Sequence, residues 1–142
     1  MLSKIPMTSI RRLLSTWFPI FIFCVLVFVQ ACFPSLDKGI SFPLKDKLEH
    51  AFVYGLLAVL FFRACRITWP HLQAPNLILA ASIGFAALYG AMDELHQAFV
   101  STRHASLLDL LADVAGAGVG AFLARIFYFK RTGKQKIENS ET

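Results

Sequence analysis

The chain has few charged residues and only three cysteines among its 142 residues. Charged side chains make up 16% of the sequence, a low share for a soluble domain of this size. The cysteines, Cys24, Cys32 and Cys65, are odd in number, lie in or beside apolar runs and lack the spacing of metal ligands. This pattern excludes a disulfide framework and a cysteine zinc site, and we expect the thiols to be buried.

Motifs for nucleic acids and phosphates are also missing. Lys and Arg number 14 against 9 for Asp and Glu, which gives a formal net charge of +5. The sequence nevertheless contains no RNP motif, no zinc finger and no basic stripe interleaved with aromatic residues, so we expect no nucleic-acid partner. The glycine-rich stretch 116–120 lies inside an apolar segment rather than after a strand, which excludes a phosphate-binding loop.

Hydrophobic residues, in contrast, make up 56% of the chain, and 14 residues are phenylalanine. This composition excludes a disordered chain and is typical of a membrane protein. A helix needs about 20 mostly apolar residues to cross the hydrocarbon core of a bilayer. Four segments have this length, at about 13–33, 45–66, 75–97 and 106–129. The sequence therefore predicts an all-α integral membrane bundle of four transmembrane helices.

Basic residues near the segment ends predict the orientation, because Lys and Arg accumulate on the cytoplasmic side. Ten share one side, namely Lys4, Arg11, Arg12, Arg63, Arg66, Arg125, Lys130, Arg131, Lys134 and Lys136. The other side has four, namely Lys38, Lys45, Lys47 and Arg103. Both termini are thus predicted to be cytoplasmic. The predicted parts are a basic cytoplasmic N-terminus (1–12), a four-helix membrane domain (13–129) and a polar cytoplasmic tail (130–142).

The first apolar segment has an alternative interpretation as a secretory signal. Arg11 and Arg12 precede an apolar core, and residues 28–32 loosely resemble the cleavage box of a bacterial lipoprotein. Gln30 fits this box poorly, and the apolar run is long enough to remain as a helix. Cleavage would leave three spans and a lipidated Cys32, and the site described next would be unchanged.

Polar residues recur four positions apart near one end of three segments. The stripes are Asp46, His50 and Tyr54; then Tyr89, Asp93 and Gln97, with Glu94 and His96 beside them; then Asp109 and Asp113. At 3.6 residues per turn, each stripe occupies one helix face. Alternating topology brings all three to the outer face of the membrane, so the sequence predicts a polar site there.

Charges at membrane depth are candidates for function because each is costly unless it pairs or reaches water. A structural interpretation stays open. Lys47 and Glu49 lie where a helix enters the headgroup region, where charges are ordinary. Asp113 lies about two turns inside its helix, where an ion pair could serve only to fix helix packing. We predict Arg103 as the counter-charge for Asp109, Asp113 or Asp93.

Small residues predict where the helices approach most closely. The fourth segment carries Ala112, Gly116, Gly120 and Ala124 at intervals of four. Such a stripe lets transmembrane backbones come into contact. We expect Ala80 and Gly84 on the third segment to face it.

Together these motifs resemble those of the VanZ-like family of small bacterial membrane proteins. They are the stretch 46–50 (DKLEH) with Tyr54 and Gly55, the stretch 89–97 (YGAMDELHQ), Arg103, and the stretch 109–113 (DLLAD) with Gly116 and Gly120. They cover about 46–120 in the family's order, with one departure: the family often has asparagine where this chain has Asp113. The resemblance implies a multi-pass protein of the bacterial cytoplasmic (inner) membrane. It also implies a link to antibiotic resistance, since the family's namesake is tied to low-level resistance to the lipoglycopeptide teicoplanin, but it implies no reaction.

Two functions fit such a site. As an enzyme, the protein would use His50 or His96 as general acid or base, with Asp93 and Glu94 as partners, on a lipid-linked cell-envelope substrate. As a binding or structural factor, it would hold a lipid headgroup, a glycopeptide or a partner protein without turnover. An ion pathway is disfavoured, because the stretches 59–62 and 77–81 are apolar.

Ligand contacts are predicted for the remaining polar residues of the site. They are Asp46, Tyr54, Gln97, Arg103, Asp109 and Asp113. The guanidinium of Arg103 suits a phosphate or carboxylate group. Membrane lipids are expected partners. Metal catalysis is an alternative, with Asp46, His50, Asp93 and His96 as the ligands, but we assign no metal ligands because no known ligand motif matches. The sequence identifies neither a cofactor nor an oligomeric state.

Overall fold

The computed structural model describes residues 7–33, 44–72, 74–101 and 103–138, with side chains described between 10 and 130. Its elements are four α-helices: α1 (Met7–Ala31), α2 (Lys45–Thr68), α3 (Pro75–Gln97) and α4 (Leu107–Glu138). Each contains an apolar stretch long enough to cross a membrane. The predicted all-α bundle of four membrane helices is therefore confirmed. α4 continues beyond its apolar stretch, which ends at Lys130.

Local sequence explains where α2 and α3 begin and end. Asp46 lies in the first turn of α2, where a carboxylate interacts favourably with the helix dipole. α2 stops at Thr68, directly before the Trp69–Pro70 pair, because proline disfavours helical conformation in the residue before it. α3 starts with Pro75, whose missing N–H costs nothing in a first turn. The short connection makes α2 and α3 antiparallel neighbours.

Large apolar side chains cover the outside of the bundle. Phe18, Phe21, Phe52 and Leu88, for example, are all more than half exposed. Only 11–33% of each apolar stretch is buried inside the protein. Such a surface suits lipid chains, which are as apolar as these side chains, and it is consistent with lipid contact around all four helices.

The closest helix packing joins α2 to α4. A Cβ atom on Gly116 would overlap the backbone of Ala51, and one on Gly120 would overlap the backbone of Gly55. The predicted small-residue stripe of α4 therefore does form a close helix contact, but the helix that it contacts is α2 rather than α3. Gly84 of α3 is exposed, and a Cβ atom there would meet nothing within 4 Å. The spacing identifies a small face but not the helix that it meets.

α1 packs at the side of the bundle against α2 and α3. The indole N–H of Trp17 donates to the hydroxyl of Thr68 over 2.9 Å, and the hydroxyl of Tyr89 donates to the carbonyl of Cys24 over 2.6 Å. Both bonds satisfy polar groups that lipid cannot satisfy. The expectation of three buried thiols holds for Cys65, but Cys24 is half-buried and Cys32 is exposed.

The two ends of the bundle differ in charge. At the polar end, α1 and α3 finish and α2 and α4 begin; every described Asp and Glu side chain lies there. At the opposite, basic end, the described charged side chains are Arg11, Arg12, Arg63, Arg66, Arg125 and Lys130. By the rule that basic residues remain inside, we expect the polar end to face outward.

Reporter fusions test this orientation. Alkaline phosphatase fused after Arg103 is expected to be active, because that position would lie outside the cytoplasm. Green fluorescent protein is expected to fluoresce when fused after His71 or Lys130. Fluorescence of a fusion after Arg103 would show instead that the polar end is cytoplasmic.

Candidate functional site

The centre of the polar end is a group of three side chains from three helices, called here the His50 cluster: His50 of α2, Glu94 of α3 and Asp113 of α4. Nδ1 of His50 donates to Oδ1 of Asp113 over 2.9 Å and lies 3.9 Å from Oε1 of Glu94. Asp113 is completely buried, Glu94 is 7% exposed and the imidazole retains 13% exposure. His50 of the α2 stripe and Asp113 of the α4 stripe therefore meet, and the α3 residue beside them is Glu94, which lies next to the predicted stripe.

Gly90 of α3 makes room for the carboxylate of Asp113. A Cβ atom at this glycine would lie 2.6 Å from Oδ2 of Asp113 and 3.1 Å from its Cγ. Any larger residue would displace the carboxylate from His50. Gly90 comes directly after Tyr89, so the spacing of the polar stripe gave no sign of its role.

Two buried carboxylate oxygens in the cluster have no hydrogen-bond donor among the described residues. They are Oε1 of Glu94 and Oδ2 of Asp113. The other oxygen of Glu94 accepts the backbone N–H of Ser106 over 2.7 Å, which fixes the side chain at the start of α4. Buried polar atoms are normally satisfied, so each of these oxygens calls for an explanation.

Lys47 supplies the cation that the sequence assigned to Arg103. Its Nζ lies 2.5 Å from Oδ1 of Asp109, which is buried, and 3.2 Å from Oδ2 of Asp46, which is exposed. From the sequence alone, Lys47 is expected to be an ordinary charge in the headgroup region. The i, i+4 pattern overlooked it because a lysine stem reaches sideways from its own helix face.

Arg103 binds the end of α1 instead of a carboxylate, so the predicted counter-charge role is wrong. Its Nε donates to the carbonyl of Phe33 over 3.0 Å and an Nη donates to the carbonyl of Gln30 over 3.2 Å. The last carbonyls of a helix lack partners within the helix, and an arginine is well suited to satisfy them.

Of the two further candidates on α3, Asp93 is bonded to a neighbour on its own helix and His96 is turned away from His50. Oδ2 of Asp93 accepts the amide of Gln97 over 2.9 Å, one turn along the same helix. His96 lies 200° around the helix from Glu94 at about 100° per residue. Its ring packs against Phe28 at 4.8 Å, and its Nε2 is 3.4 Å from the sulfur of Cys32. His96 therefore faces α1 rather than the cluster.

Tyr54 lies below the cluster in the bundle interior. Its side chain is 1% exposed, and its ring is stacked on His50 with the centroids 6.2 Å apart. The centroid of the Tyr89 ring is 6.4 Å from that of Tyr54. Tyr54 is thus placed beside the cluster, and its predicted contact with a ligand stays a prediction.

Comparison with known proteins identifies the family. The family model described as VanZ/LLP1 matches residues 2–128. This protein belongs to the VanZ/LLP1 family. The match covers all ten candidate site residues and extends over the apolar stretches of the four helices nearly to their ends.

A curated relative of this VanZ/LLP1 chain is an uncharacterized protein of the fission yeast Schizosaccharomyces pombe. The two are 27% identical over 110 residues, which make up 78% of this chain and 64% of the relative. The aligned region therefore spans less than two thirds of the yeast protein. No solved structure matches this chain.

Among the described residues of this VanZ/LLP1 site, two sets of side chains bring possible metal-ligand atoms together. One is His50, Glu94 and Asp113, and the other is Asp46, His50 and Asp109; within each set the ligand atoms lie within 4.8 Å of one another. Sequence spacing did not single out either set, because each combines residues from different helices. The second set includes the exposed Asp46, whereas Glu94 and Asp113 are both buried.

Proposed function

We propose that this protein binds and acts on the polar headgroup of a membrane amphiphile at the outer face of the membrane. The ligand class is a lipid-linked cell-envelope component or a lipoglycopeptide such as teicoplanin. The observation that carries the proposal is the His50 cluster, with buried carboxylates and an imidazole that joins three helices at the end of a membrane bundle. Ionisable groups placed so deeply in a membrane protein are functional candidates by default.

The chemistry proposed for the cluster is acid–base catalysis by His50. Asp113 accepts the Nδ1 proton and so holds the neutral ring in the tautomer whose Nε2 has a free lone pair. Nε2 can then take a proton from a substrate hydroxyl or water. Glu94 provides a second carboxylate near the ring, 3.9 Å from Nδ1. Of the four catalytic candidates, His50 and Glu94 retain this role, whereas Asp93 is bonded to Gln97 and His96 faces α1.

A non-catalytic structural role is the second candidate, and the same contacts favour it. The His50–Asp113 bond and the Lys47–Asp109 ion pair both join α2 to α4, while Glu94 joins α3 to the start of α4. Buried polar links of this kind can fix the packing of helices without any ligand. In that case the cluster would serve helix packing or partner docking.

Susceptibility assays in a teicoplanin-susceptible bacterium that expresses the protein distinguish these roles. Glu94→Gln is expected to abolish any change in susceptibility while membrane abundance stays normal. The effect of His50→Ala is scored per amount of protein in the membrane, because this change also removes the hydrogen-bond donor of the buried Asp113. The matched controls are His104→Ala and Glu49→Gln, the same changes at exposed positions of the polar end. A phenotype that falls only in proportion to abundance would support the structural role and contradict the proposal.

Lipid and peptidoglycan-precursor profiles then separate turnover from binding. An enzyme would change the amount of at least one species, and His50→Ala would reduce that change by about 10²- to 10⁴-fold, the usual contribution of a general acid or base. Membrane lipids belong in the profile because the curated relative comes from a eukaryote. Unchanged profiles together with an intact phenotype would point to binding without reaction.

A further inference from the structure

The distances between the ligand atoms of the His50 cluster are close to those between the donor atoms around one small metal ion. Ligands about 2.1 Å from a tetrahedral ion lie roughly 3.4 Å from one another. Nδ1 of His50 is 2.9 Å from Oδ1 of Asp113 and 3.9 Å from Oε1 of Glu94, so the two separations lie on either side of that value. All three ligand atoms lie within 4.8 Å of one another, so side-chain adjustments would place them around one ion.

Burial supplies an independent reason to expect a cation. Oε1 of Glu94 faces His50, yet this oxygen and Oδ2 of Asp113 have no donor among the described residues. Charge is also out of balance, since six described carboxylates at the polar end accompany three Lys or Arg side chains. Two of those cations are engaged elsewhere, because Arg103 binds carbonyls of α1 and Lys45 pairs with Glu49 at 3.8 Å. A buried carboxylate without a cation is strongly unfavourable in a low dielectric.

The surroundings of the cluster also hold its ligands in place. The second oxygen of Glu94 is fixed by the N–H of Ser106, and Gly90 leaves the space that the carboxylate of Asp113 fills. Hydrogen bonds to the outer atoms of metal ligands are typical of metal sites, because they orient the ligands. Nδ1, the nitrogen that would bind the ion, is the imidazole atom directed at both carboxylates.

We propose that His50, Glu94 and Asp113 form a binding site for one divalent cation, Zn²⁺ or Mn²⁺. One imidazole nitrogen and two carboxylate oxygens suit these ions, whereas Mg²⁺ and Ca²⁺ prefer oxygen ligands alone. Binding replaces the His50–Asp113 hydrogen bond by two coordinate bonds. The ring stays neutral because Nε2 takes a proton from solvent as Nδ1 loses one, so in the metal-bound protein Nε2 can donate a proton but not accept one. Three protein ligands leave coordination positions open. This metal site deepens the proposed function. An open position would accept an oxygen of the ligand's headgroup, and this last step rests on the proposed function.

Titration calorimetry on the purified protein tests the site without any lipid ligand. The full chain is purified in detergent with an affinity tag that contains no histidine, stripped with a chelator and dialysed. Zn²⁺ or Mn²⁺ is then expected to bind with a stoichiometry of one and to raise the melting temperature. Glu94→Gln is expected to weaken binding by at least about 10- to 100-fold, the loss that even outer partners of a metal site cause.

Glu94→Gln is chosen because it preserves the contact between this side chain and the start of α4. The glutamine oxygen can still accept the N–H of Ser106, while the new NH₂ group replaces the ligand atom Oε1. Glu49→Gln is the matched control, since it removes the same charge from an exposed side chain of the same end. If Glu94→Gln is not monodisperse, His50→Gln gives the same comparison. Co²⁺ absorption bands in the visible range, lost in the variant, report on the ligands directly.

The outcomes separate this inference from the proposed function. Absence of binding by the wild-type protein, or equal weakening in Glu94→Gln and Glu49→Gln, would overturn the metal site whatever the susceptibility assays show. Specific binding of one ion alongside unchanged susceptibility would support the metal site and contradict the proposed function.

Discussion

Replacing Gly116 with alanine is expected to destabilise the bundle by about 3 kcal/mol or more, the upper range for an overpacked interior. The added Cβ atom would overlap the backbone of Ala51, where α2 and α4 touch. A flexible side chain could rotate away from such an overlap, but a backbone cannot. The helices would have to separate, and the separation would also disrupt the His50–Asp113 bond about one turn away.

Gly118 provides the matched control on the same helix. A Cβ atom there would meet nothing within 4 Å, so Gly118→Ala adds a methyl group without a clash. Alanine favours a helix over glycine by up to about 1 kcal/mol, so this change is expected to be neutral or slightly stabilising. Fluorescence from Trp17 and Trp69 during thermal unfolding in detergent measures both variants. Equal melting temperatures would contradict the close α2–α4 contact.

The helices could be predicted from the sequence because the bilayer fixes their length. The predicted segments 45–66 and 75–97 compare with Lys45–Thr68 and Pro75–Gln97 in the structure. α1 begins earlier than predicted, at Met7, and α4 continues to Glu138. Apolar composition reports only the part of a helix that lies in hydrocarbon, so it misses helical turns that extend into the polar region.

The sequence predicts only some of the residues that form the polar site. Spacing by four identifies one face of a helix, and it correctly placed His50 and Asp113 on facing sides of α2 and α4. On α3, however, Asp93 and Glu94 are adjacent and equally buried, and the sequence does not say which one meets His50. The rotation of α3 depends on contacts such as Gly90 against Asp113, which are formed only in the folded protein.

The charge pairs could not be predicted from the sequence, because lysine and arginine side chains are long. Lys47 and Arg103 both lie near the polar end, and only the structure shows that Lys47 reaches Asp109 while Arg103 reaches carbonyls of α1. A lysine or arginine stem spans several ångströms in many directions, so position along a helix does not determine its partner.

His50→Ala is expected to destabilise the protein by about 3–5 kcal/mol, the usual cost of breaking a buried pair by removing one partner. The loss is large because the alanine leaves Asp113, which is completely buried, without its hydrogen-bond donor. Chelator-treated protein is used throughout, so that no bound cation compensates the carboxylate. Unfolding free energies in a denaturing detergent give the measurement.

Adding Asp113→Asn to His50→Ala is expected to restore part of the lost stability. The amide carries no charge, so the double variant buries no unpaired ion, and its unfolding free energy should exceed that of His50→Ala alone. The two changes would then be non-additive, as expected for residues in contact. Additive losses would mean that Asp113 is neutral in the folded protein or reaches water after His50 is removed. The pair would then not be the buried charged link between α2 and α4, and the case for a cation between these helices would weaken with it.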